Sequence, residues 1–151
     1  MKKLIASILL LVSIGTLAQK KIRNKSKMCE ILTEMRNHDQ FYRKGKILGS
    51  LFGNETKYSK KEIDSVWTLQ LKRDNKNTEK LIALTKKHGW ISDERIDCSE
   101  LNIWIIFRHS QEEYFEQISE LIEIEHNEKR LNDSHYKLIN NHLRGRPSIR
   151  D

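Results

Sequence analysis

Proline occurs once and glycine six times in this chain of 151 residues. That is too little turn chemistry for a loop-rich or all-β design, which needs it every few positions. Cysteine occurs twice, too few for a zinc cluster or a Cys-x-x-Cys redox motif. There is no glycine-rich phosphate loop and no Gly-x-Ser-x-Gly elbow. His38, Asp39, Asp74 and His109 are metal-ligand types, yet no His-x-x-x-His or Glu-x-x-His pair concentrates them on one helix face. Neither a metal nor a cofactor is implied. Internal repeats, low-complexity tracts and convincing strand-like alternation are missing too.

What remains is 37% hydrophobic and 32% charged residues, ordinary for a soluble helix-rich domain with a single core. The formal net charge is +7, or +5 without Lys2 and Lys3. That excess mildly favours anionic partners and is too small to imply nucleic acid.

Residues 1–18 read as a secretory signal. Lys2 and Lys3 form its charged start, residues 4–17 an apolar run broken only by small or polar side chains, and Thr16-Leu17-Ala18 a cleavage site before Gln19. The alternative is an uncleaved anchor, but the run is shorter than the ~20 apolar residues a bilayer requires. No cysteine at the cleavage point offers a lipid attachment. The expectation is an exported protein, periplasmic or secreted, with no membrane span after cleavage. Residues 19–27 then form a basic disordered lead-in, residues 28–144 a helical domain and residues 145–151 a basic tail.

Met28, Ile31, Leu32, Met35 and Tyr42 recur at helical spacing and predict a first helix over residues 27–44, stopped by Gly45. Asp39 falls on that stripe. Residues 48–58 contain Gly49, Gly53 and Asn54 and read as a loop. Ser59-Lys-Lys-Glu62 is a capping box that opens a second helix ending at Gly89. Its inward stripe of Ile63, Trp67, Gln70, Asp74, Asn77 and Leu81 is polar in the middle. That pattern marks either a break near Asp74-Asn75 or a buried polar cluster.

Residues 91–97 read as a linker, and Ser99 as the cap of a third helix carrying residues 101–109, the most apolar run of the mature chain. On it Asn102, Ile105, Ile106 and His109 share one face. Ser110-Gln-Glu-Glu113 reads as a second capping box, starting a fourth helix with Tyr114, Phe115, Ile118, Leu121 and Ile122 inward. Its acidic outer face, Glu112 through Glu128 and including Glu125, reads as solvated. Asn132-Asp133-Ser134 caps a last helix with Tyr136, Ile139 and Leu143 inward. The expected fold is all-α, a compact bundle of four to five helices.

Asp39, Asp74, Asn77 and His109 are polar groups on inward faces, where an unpaired one costs about 1–3 kcal/mol. They are expected to meet one another, water or a ligand. An Asp–His pair fixes the imidazole tautomer as a general base requires, so His109, Asp39 and Asp74 are the catalytic candidates. Gln40, Arg43, Asn77 and Trp90 are the ligand-binding candidates. The competing reading is a satisfied network that only fixes helix register. Cys29 and Cys98 either form a disulfide in an oxidising compartment or remain buried thiols. Trp67, Trp90 and Trp104 read as core anchors.

These residues also carry a resemblance. Leu32 and Met35 followed by Asp39-Gln40 and Arg43, then Asp74, Asn77 and Thr78, then Gly89-Trp90 and His109, resemble an uncharacterised family of small exported or membrane-tethered bacterial proteins, a domain of unknown function. The resemblance spans residues 28–109. Members commonly end with an Asp-Arg pair and a Gln-Tyr-Gly-Thr-like tail, where this chain has Asn140-Asn141-His142 and Arg144-Gly-Arg-Pro-Ser. It implies the compartment and nominates residues, and it implies no reaction.

Two functions fit these features. One is an exported helical domain that binds an unknown envelope protein or a small anionic ligand. The other is a small hydrolase-like enzyme with His109 as base, oriented by Asp39 or Asp74, and Arg43 holding the substrate's negative charge.

Overall fold

The computed structural model describes residues 19–52 and 57–146; the segment read as an export signal and residues 147–151 of the tail lie outside them. Every regular element among the described residues is helical. In order they are α1 (Lys25–Gln40), α2 (Lys46–Gly49) with a 3-10 turn at Ser50–Phe52, and α3 (Lys60–His88). Then come α4 (Asp93–Ile96), α5 (Trp104–Arg108), a 3-10 turn at Glu112–Tyr114, α6 (Phe115–Asn127) and α7 (Asp133–Leu143). The fold is all-α, with four long helices and three short ones.

The spine is α3, 29 residues long, or about 43 Å at the helical rise per residue. The Ser59–Glu62 capping box forms: the serine side chain accepts from the Glu62 N–H, and the Glu62 carboxylate accepts from the Ser59 N–H. The helix passes unbroken through Asp74-Asn75. Asp and Asn disfavour helix interiors when their side chains compete for local backbone, but Asp74 is committed to partners elsewhere. Helices α1, α2, α5 and α6 pack along this spine, and α7 closes over α5 and α6.

The core joins Leu32, Met35, Leu81, Trp90, Phe107, Ile118, Ile122 and Ile139, and all its members lie between Ile22 and Leu143. A chain beginning at Gln19 therefore carries every core residue among those described. Cys29 and Cys98 are joined by a disulfide across a sequence separation of 69, tying α1 to the turn after α4. A loop of that size stabilises by about 4 kcal/mol on the chain-entropy view.

Several local expectations are corrected. Helix α1 starts earlier, capped by Asn24, and ends at Gln40. Residues 46–52 are helical, not loop, and the 91–97 linker holds α4, capped by the Ser92 hydroxyl. Ser99 caps nothing, because α5 begins later with no side-chain cap. Asn102 sits at φ 47 and is exposed, in the left-handed conformation asparagine tolerates, so it leaves the inward face. The second capping box does not form: the Ser110 hydroxyl donates back to the Phe107 carbonyl at 2.8 Å. The lead-in is anchored, with the Lys20 N–H donating to the Lys87 carbonyl at 2.7 Å and Ile22 packed on the core. Trp67 is 42% exposed and is not a core anchor.

Candidate functional site

Asp39 closes the last turn of α1 and is 1% exposed. Oδ1 lies 2.6 Å from His109 Nδ1, at the C-terminal end of α5. Oδ2 accepts from Gln40 Nε2 at 2.5 Å and weakly from Arg36 at 3.4 Å. One helical turn on, Arg43 reaches α3, where its guanidinium grips Asp74 with both forks at 2.8 and 2.7 Å. The same guanidinium donates to the Asp39 carbonyl at 2.6 Å. Gln70 completes the join: its amide donates to the Asp39 carbonyl at 2.9 Å and to Asp74 Oδ1 at 2.8 Å, and its oxygen accepts the Tyr42 N–H at 3.1 Å. Asn77 donates to the Met35 carbonyl at 2.9 Å.

The sequence candidates thus converge, with three corrections. Arg43 is consumed by Asp74 and the α1 backbone, so it holds no spare charge for a substrate. Asn77 spends its amide on the Met35 carbonyl of α1. Trp90 belongs to the core, against Phe107 with ring centroids 6.0 Å apart, and does not line the cluster. Of the two carboxylates proposed to orient His109, it is Asp39 that does so.

Burial pushes the Asp39 carboxyl upward, but hydrogen bonding and charge from His109, the Gln40 amide and the charge of Arg43 outweigh it, and it stays below its ordinary value. An ionised carboxylate can only accept, so His109 Nδ1 carries the proton and, in the neutral ring, Nε2 carries the lone pair. Among the described residues Nε2 has no hydrogen-bond partner, and the side chain is 19% exposed. This nitrogen is the open valence of an otherwise closed network. The neighbouring His142 is held below the usual histidine value by burial first and by the charges of Arg146 and Arg108, against the raising hydrogen bond to the Ser110 backbone. It bridges the Ser110 carbonyl at 2.9 Å and the Arg146 Nε at 3.1 Å. Among the described residues no group of three or more His, Cys, Asp and Glu side chains is arranged to hold a metal ion.

Sequence reasoning missed a second cluster. Glu125 belongs to the acidic run read as solvated, yet it is 1% exposed. It accepts the Trp90 N–H at 2.7 Å, the Gln19 amide at 2.9 Å and the Arg130 Nε at 2.5 Å. The signal was present: Ile118, Ile122 and Glu125 follow the same spacing of four and three that nominated Asp39. Gly89, at φ 74, admits this clasp, because a Cβ there would collide with the Gln19 side chain.

No family model, curated protein or solved structure matches the chain.

Proposed function

We propose that this chain is an exported, non-catalytic helical domain that binds a protein partner at the bacterial cell envelope. One observation carries the reading. Among the described residues, four of the five exposed large apolar side chains, Phe41, Leu51, Trp67 and Leu69, fall just after α1, on the turn after α2 and on the first half of α3. Single exposed apolar residues need no explanation, but several gathered on consecutive elements of the fold are a candidate binding surface. An arginine lies beside the exposed aromatic that follows α1: Arg73 is 4.6 Å from the Phe41 ring centre. Aromatic and arginine side chains dominate interface hot spots. No helix among the described residues is long and apolar enough to cross a membrane.

A photo-crosslinking residue at position 69, compared with one at the exposed Ile124 on α6, tests the reading in intact bacteria. A defined adduct from position 69 alone is the expected result, and Trp67→Ala should weaken it about tenfold or more. Adducts from neither position, or equally from both, contradict it.

A second reading rests on the 2.6 Å Asp39–His109 contact. It makes the chain a hydrolase-like enzyme in which Nε2 takes a proton from water. Turnover lost in His109→Gln with the melting temperature unchanged would favour this alternative.

A further inference from the structure

We infer that the groove between the N-terminal segment and the end of α3 binds the phosphate of anionic phospholipid headgroups. The groove encloses about 610 Å³ and is lined by Lys20, Lys21, Arg23, Lys87 and His88. Among the described residues none of the four cations forms an ion pair. The other groove of similar size, on the first turns of α3, contrasts with it: Lys60 there is paired with Asp64 at 2.5 Å. One groove carries an acid among its cations and the other carries none.

The basic groove is also held in shape. The backbone of Lys20 is clamped at both ends, its N–H on the Lys87 carbonyl at 2.7 Å and its carbonyl on His88 Nδ1 at 2.6 Å. The Gln19 side chain is fixed by Glu125. His88 is 7% exposed, and among the described residues its Nε2 has no hydrogen-bond partner. With its Nδ1–H spent on the Lys20 carbonyl, the neutral ring brings no donor to the groove, and the basic side chains alone supply its positive wall. The C-terminal end of α3 contributes a partial charge of roughly −0.5. Four full cations outweigh it, and the Lys87 carbonyl is already capped by Lys20.

Phosphate oxygens are the hard, multiply accepting anions that such a cluster suits. The lipid source follows from the chain order. Lys20, Lys21 and Arg23 directly follow the apolar run of residues 4–17, so export through a bilayer delivers this groove at the lipid surface, where each basic residue adds to attraction by anionic headgroups. The inference rests on the envelope reading for this placement, but not on the protein partner.

The test uses the folded chain beginning at Gln19 and sedimentation with vesicles of phosphatidylcholine, with or without phosphatidylglycerol. Binding only to the phosphatidylglycerol vesicles is expected. It should fall about tenfold or more in Lys21→Glu/Lys87→Glu and in Lys21→Glu/Arg23→Glu, each basic side chain counting for a several-fold factor. Lys60→Glu/Lys61→Glu changes net charge equally and should stay within about twofold. Equal loss in all three pairs, no vesicle binding, or binding of inorganic phosphate without vesicle binding overturns the proposal. Failure of the crosslinking experiment at position 69 would leave this result untouched, so the two readings fail separately.

Discussion

Two clusters built on buried carboxylates organise this molecule, and they end differently. Asp39 and Asp74 join α1 to α3 through Arg43 and Gln70, and the chain of bonds runs on to a histidine ring with an open nitrogen. Glu125 joins the N-terminal segment, the corner at Gly89-Trp90 and the end of α6, and its bonds terminate on a backbone N–H, an amide and Arg130. Both satisfy the requirement that a buried charge be paired and hydrogen-bonded. The lesson is that burial of a carboxylate identifies neither cluster as functional. What separates them is whether a donor or acceptor is left over.

The comparison predicts unequal responses. Asp74→Ala strands Arg43, whose side chain is only 12% exposed, and should cost about 3–5 kcal/mol in urea unfolding. Replacing the pair together, as Arg43→Met/Asp74→Leu, should recover most of that loss. Glu125→Ala should cost less, about 1–3 kcal/mol, because Arg130 is 27% exposed and can turn to solvent. Equal losses in the two single variants would break the comparison.

Acid separates the clusters further. The Asp39 carboxyl is lowered from its ordinary 3.8 by folding. Its stabilisation is therefore present above that value and lost as pH falls below it through the folded pKa. Unfolding followed by circular dichroism should show that loss in the wild type and a flatter acid limb in Asp39→Asn. The smallest effect belongs to His109→Ala, about 1 kcal/mol, since Gln40, Arg36 and Arg43 still surround Asp39. A loss as large as that of Asp74→Ala would make His109 a keystone of the fold.

Helical spacing made the first cluster legible. Asp39 lies four residues after Met35 on the apolar stripe, and Gln70, Asp74 and Asn77 continue the line of Trp67, so their meeting could be expected without coordinates. Which acid would hold His109 was not legible, because it depends on how α5 crosses α1. Arg43 illustrates another limit: a sequence shows that an arginine is near, but not that Asp74 has already taken both its forks. Glu125 was hidden by its company, since six glutamates beside it face water and average away the spacing that marks it. Short elements were the least readable. Helices α2, α4 and α5 are four or five residues long, too short for periodicity to speak. The Ser110 motif failed because its hydroxyl found a carbonyl in the preceding turn.

Nitrogen-15 spectroscopy of the His109 ring at neutral pH tests the account most directly. A proton on Nδ1 with Nε2 bare, and loss of that preference in Asp39→Asn, is the result predicted by the Asp39 contact. A ring protonated on Nε2 alone, unchanged by the substitution, would contradict the account and leave the cluster without an open valence.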